Sequence, residues 1–144
     1  MNVIAEKTLF GEKITTPEEF ITDLCERIDG AYRIVMEVES KTGQLACIMG
    51  FLRGFKGRLN RVCESPFDSK FSDGDGAELH IEGEETFFGE KINTSEEFLK
   101  DLRNRVDTVY ATQMEEEQEL HRLAYLVAAL IGLKGRLNRV CGTV

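Results

Sequence analysis

Nine residues, Phe55-Lys56-Gly57-Arg58-Leu59-Asn60-Arg61-Val62-Cys63, return as Leu133-Lys134-Gly135-Arg136-Leu137-Asn138-Arg139-Val140-Cys141, with eight of the nine identical. The offset of 78 positions holds upstream, where Thr8-Leu9-Phe10-Gly11-Glu12-Lys13-Ile14 becomes Thr86-Phe87-Phe88-Gly89-Glu90-Lys91-Ile92. Over residues 8–63 and 86–141 there are 30 identities in 56 positions and no insertion. The chain is one unit written twice, so a fold for one copy must also serve the other. Residues 1–63 form the first unit, 64–78 a linker and 79–144 the second. Units of this size are marginal alone. They are expected to pack together about a pseudo-two-fold axis.

The totals exclude several classes. The longest apolar run, around Leu123 to Leu133, falls short of the 18 or so residues a membrane span needs. The N-terminus lacks a basic stretch followed by an apolar one, so no signal peptide is expected. The net charge of −8 argues against non-specific nucleic-acid binding. The acid is uneven: residues 1–63 carry nine acids and nine bases, and the excess lies in the linker and the second unit. Cys25, Cys47, Cys63 and Cys141 form no CxxC pair. Cys25 and Cys47 align with Arg103 and Tyr125, so a disulfide framework is not expected. Reduced thiols and a missing leader point to a cytoplasmic protein. Cys63 and Cys141 match, and meet across the axis or serve as small buried side chains.

Read in order, each unit opens on β-like residues. Val3-Ile4 and Thr8-Leu9-Phe10 match Leu79-His80-Ile81 and Thr86-Phe87-Phe88, with turn composition between them. Two such hairpins pair into one four-stranded sheet, which predicts an α+β, mostly helical fold. The helix start is the sharpest local signal. Thr16-Pro17-Glu18-Glu19 and Thr94-Ser95-Glu96-Glu97 are capping boxes, and Pro17 suits the first helical position. Apolar residues then step by three and four: Ile21, Leu24, Ile28, Ala31, Val35 and Val38 in one copy, Leu99, Leu102, Val106 and Val109 in the other.

The next stretch is read two ways. Ser40-Lys41-Thr42-Gly43 looks like a stop and turn, whereas Gln118-Glu119-Leu120-His121 carries no breaker. Either both units turn there, giving a helical hairpin each, or each unit runs as one long helix. A second seam follows, Leu45, Ile48, Leu52, Phe55, Leu59 and Val62, matched by Leu123, Leu126, Leu130, Leu133, Leu137 and Val140. The alternation of three and four is heptad-like. Gly54 and Gly57, with Gly132 and Gly135, are expected to kink or end this helix.

The repeated Lys-Gly-Arg-Leu-Asn-Arg-Val segment is the candidate binding region. On a helix Leu59 and Val62 face inward, while Arg58 and Arg61 share an outer flank opposite Lys56. Arg136, Arg139 and Lys134 repeat the pattern. Arginine pairs bind carboxylates and phosphates with forked geometry. The plainer alternative is that these bases pair with acids of neighbouring helices. Elsewhere the chemistry is sparse. Asp73-Gly74-Asp75-Gly76 lacks the remaining ligands of a calcium loop. His80 and His121 stand without metal partners at suitable spacing. The Glu115-Glu116-Glu117 run reads as a solvated helix face. Phe20 and Phe98, Tyr32 and Tyr110, and Met36 and Met114 match between copies and read as core. No catalytic motif is present, so neither an enzyme nor a cofactor is expected.

These features suggest a non-catalytic protein-interaction module, a regulator or inhibitor acting through a pseudo-symmetric helical surface. Small acidic inhibitors from phages share the profile. The expected partner is a protein, and further pairing into a homodimer stays open. The alternative is an anion-binding module for nucleic acid or a nucleotide, using Lys56, Arg58, Arg61, Lys134, Arg136 and Arg139.

Overall fold

A computed structural model describes residues 11–14, 16–64, 81, 83–86 and 88–142. They contain four helices: α1 (Pro17–Glu37), α2 (Lys41–Glu64), α3 (Ser95–Glu115) and α4 (Glu119–Cys141). Both capping boxes form. Thr16 Oγ1 accepts from the Glu19 amide at 3.1 Å, and Glu19 Oε1 accepts from the Thr16 amide at 3.1 Å. At Thr94 and Glu97 the same two bonds measure 3.1 and 2.9 Å. Amide donors, Asn93 N–H first, hold the exposed Glu97 carboxyl below its ordinary range. Early helix donors that would otherwise lack partners are thereby satisfied.

The α+β expectation is not met: the molecule is a helical bundle, with no strand among the described residues. Residues 3–10, which carried the first hairpin, lie outside the described set. In the second unit Leu79 and His80 also lie outside the described set, and Thr86 and Phe88 fall in a turn closed by a different pairing, the single antiparallel bridge Glu85 to Lys91. Thr86 N–H donates to Glu90 O at 2.7 Å and Ile92 N–H to Glu84 O at 3.0 Å. Gly83 and Gly89 take left-handed φ values of 92° and 85°, which bend the chain too tightly for a longer ladder. The Glu85 carbonyl is also claimed by arginine side chains, at 2.9 Å from Arg136 and 3.1 Å from Arg105. A hairpin without further strands is marginal in water, and here helix packing replaces it.

Both units turn between their helices, at residues 38–40 and 116–118, so each is a helical hairpin and the long-helix reading falls away. Ser40 Oγ accepts from the Gly43 amide at 2.9 Å. A Cβ on Gly43 would stand 2.8 Å from Ser40 Oγ and 2.9 Å from Val38 Cγ1, so this turn requires glycine. The second turn has no such residue. It forms because an unbroken helix would separate the α3 and α4 apolar stripes, and folding back buries both.

The twelve seam positions of α2 and α4 are all buried, as are Phe20, Phe98, Ile14 and Ile92. Each such aliphatic side chain contributes about 1.5–3 kcal/mol relative to exposure. Helix α1 packs mainly on α4, α2 mainly on α3, and α2 meets α4 between them. Contacts inside each hairpin are fewer than contacts between hairpins. The units are interlocked, each lending a helix to cover the other. No described helix is long and apolar enough to cross a membrane.

A helix end at the repeated glycines falls away, and so does one core assignment. Helices α2 and α4 run through Gly54, Gly57, Gly132 and Gly135 without ending. Met36 and Met114 are exposed, not core.

Candidate functional site

The repeated segment divides into roles once the helices are in place. Arg58 and Arg136 are buried, not on an outer flank. Arg58 Nη1 lies 2.6 Å from Asp23 Oδ2, and Arg136 Nη2 lies 2.8 Å from Asp101 Oδ2. Each aspartate is held a second time by an arginine one turn on, Arg27 or Arg105, both at 2.7 Å. Each buried guanidinium also stacks on a ring, Arg58 at 4.7 Å over Phe20 and Arg136 at 4.8 Å over Phe98. Burial, a forked donor set and an aromatic face suit arginine and would not suit lysine.

The lysines reach across to the other unit. Lys56 lies 3.6 Å from Asp107 and above Tyr110, while Lys134 lies 3.6 Å from Asp29 and above Tyr32. Asn138 also crosses, donating to Asp29 Oδ1 at 3.2 Å and accepting from the Cys25 thiol at 3.0 Å. Of the six bases expected to bind an anion, Arg58, Arg136, Lys56 and Lys134 therefore tie the bundle together. Arg61 and Arg139 lie exposed at the rim. Sequence reasoning missed the partners Asp23 and Asp101. The signal was available, because Phe20, Asp23, Arg27, Asp29 and Tyr32 all recur 78 positions later.

All four cysteines are free. Cys141 lies beside Cys25 of the other unit. Burial first, then Cys25, pushes the Cys141 thiol up to about 12. A thiol so seldom ionised near neutral pH is a poor nucleophile. His121 is largely exposed, 3.7 Å from Glu116. His80 and the Asp73–Gly76 stretch lie outside the described residues. Among those described, no three His, Cys, Asp or Glu side chains are placed to share a metal ion.

Two grooves open at equivalent places in the two units. One, of about 690 Å³, runs between α1 and α2, and Arg27, Ala31, Gly54, Phe55, Arg58 and Arg61 line it. The other, of about 710 Å³, runs between α3 and α4, and includes Arg105, Val109, Gly132, Leu133, Arg136 and Arg139. These six positions correspond pair by pair. The α3/α4 groove also meets the connector Gly83–Thr86. There the Glu84 carboxylate lies 3.1 Å from Arg136 Nε and 3.4 Å from Arg139 Nε.

No protein-family model matches this sequence, and no curated protein or solved structure matches it either. The grooves must therefore be read on their own chemistry. Each lining brings together apolar side chains, a glycine common to both copies and three arginines. These groups suit binding.

Proposed function

We propose that this chain is a non-catalytic protein-interaction module that regulates or inhibits a partner through its two equivalent grooves. The observation that supports this reading is the pair Gly54 and Gly132. Both sit inside helices, where glycine costs about 1 kcal/mol relative to alanine. Neither is needed for packing, because a Cβ at either position would meet nothing within 4 Å. Both line the grooves, and the two copies agree on glycine there. A wall kept bare at a cost to the helix leaves space for another molecule.

The anion-binding alternative has weaker support. Five of its six bases already face carboxylates of this chain, namely Arg58, Arg136, Arg139, Lys56 and Lys134. Its two exposed members, Arg61 and Arg139, belong to different units.

The test is affinity capture from native lysate, using the intact chain and the Gly54→Trp/Gly132→Trp variant, each split into nuclease-treated and untreated halves. A stoichiometric protein that survives nuclease and is lost with the variant supports the module. Retention of nucleic acid alone, or a captured protein indifferent to the variant, overturns it.

A further inference from the structure

The α3/α4 groove contains a template for its own ligand. Gly83–Thr86 enters it outside any helix, through two polar contacts. The Glu84 carboxylate sits against Arg136 and Arg139. The next carbonyl, that of Glu85, accepts from Arg136 Nη2 at 2.9 Å and Arg105 Nη2 at 3.1 Å. Arginines thus hold both a side-chain carboxylate and the following backbone carbonyl. This arrangement suits an acidic peptide segment more than a bare anion.

The built-in segment fits incompletely. The Glu84 bonds to Arg139 measure 3.4 and 3.5 Å, long for a charge-assisted pair. Arg136 is 5% exposed, yet its Nη1 is buried with no hydrogen-bond partner among the described residues. A buried guanidinium nitrogen without an acceptor is costly, and a better-placed carboxylate would remove that cost. Beside this segment about 710 Å³ of groove remains, walled in part by Gly132.

Resting on the interaction-module reading, we infer that the α3/α4 groove receives an extended acidic segment of a protein partner, anchored by Arg136 and Arg139. Glu84 is the internal competitor for that place. Removing its charge frees the arginines while leaving the Asp101 anchor of Arg136 intact.

The experiment follows the arginine Nε–H signals of the full-length, ¹⁵N-labelled chain by NMR. Acetyl-Gly-Glu-Glu-Thr-amide is titrated into the wild type, Glu84→Gln and Glu84→Ala. The neutral acetyl-Gly-Gln-Gln-Thr-amide, inorganic phosphate and a nucleoside triphosphate are titrated in parallel. The expected result is that the acidic peptide shifts the Arg136 and Arg139 signals and binds both Glu84 variants about tenfold more tightly than wild type. Adding Gly132→Trp to Glu84→Gln should abolish this binding. Equal affinity for wild type and both variants overturns the inference. So does equal binding of the neutral peptide, or no peptide binding by the variants. Tighter binding of phosphate or the nucleotide overturns it in favour of a phosphate site. The broader reading fails separately: a partner captured through Gly54 and Gly132 without preference for acid would leave the module standing and remove only this inference.

Discussion

The turns at 38–40 and 116–118 do the same work with different side chains. In the first unit Gln44 Nε2 donates to the Val35 carbonyl at 3.1 Å. In the second, Arg122 occupies the equivalent place and donates through Nε to the Gln113 carbonyl at 3.0 Å, and through Nη2 to that of Glu116. A long donor from the following helix thus ties down the unpaired end of the preceding one in both copies. The position behind the carbonyl differs more sharply. Val35 is fully buried and apolar, whereas Gln113 is equally buried and its side-chain oxygen and nitrogen have no partner among the described residues. What the copies share is a geometric demand, that a donor reach back across the turn, and not a residue type. Where the demand is absent, the copies have drifted to unequal quality.

The largest effect should come from the feature the copies share most closely. Asp23→Ala and Asp101→Ala each take the short ion-pair partner from a buried arginine, and each should lower stability by about 3–5 kcal/mol in a denaturant titration. A trivial loss at one position alone would break the equivalence of the units. Exchanging the residues behind the turns should give opposite signs. Gln113→Val should raise stability and Val35→Gln lower it, each by about 1–3 kcal/mol, in line with the cost of an unpaired buried polar group. Two changes of the same sign would show that Gln113 finds partners in solution.

Smaller effects sharpen the contrast among glycines. Gly54→Ala and Gly132→Ala should each stabilise by about 1 kcal/mol, read as a higher Tm, while Gly43→Ala should destabilise because its Cβ meets the turn. The last effect is silent at neutral pH and confined to the alkaline range. The folded chain keeps the Cys141 proton to about 12, above the ordinary 9.0, so it binds more protons there than the unfolded chain. This stabilisation is complete below pH 9.0 and is lost as pH rises towards 12. Cys141→Ala should flatten that limb of the stability profile.

What was legible in the sequence was local or periodic. The capping boxes read directly, because Thr16 with Glu19 and Thr94 with Glu97 need only helical spacing to form. The seam from Leu45 to Val62 read directly because its period matches a helix with one buried side. Thr86 and Phe88 misled because strand preference describes a half-buried pleat, and no neighbouring strand among the described residues supplies one. The turn at 116–118 was ambiguous because packing creates it and no breaker announces it. Arg58 looked exposed because helical position alone does not reveal that Asp23 and Phe20 wait on the next helix. The grooves were invisible for the same reason. Gly54 and Gly132 read as helix breakers until the space beside them was known.

The interlocking of the two hairpins also bears on mass action. Since α1 finds its main partner in α4 and α2 in α3, a single unit leaves its principal apolar contacts unmade. In the intact chain the tether supplies the missing half at an effective concentration set by linker length, so folding does not depend on how dilute the protein is. Two separate copies of one unit would need to find each other in solution, and their stability would fall with dilution. The tether therefore converts a two-body equilibrium into a one-body one. It also lets the two grooves diverge while the core stays paired.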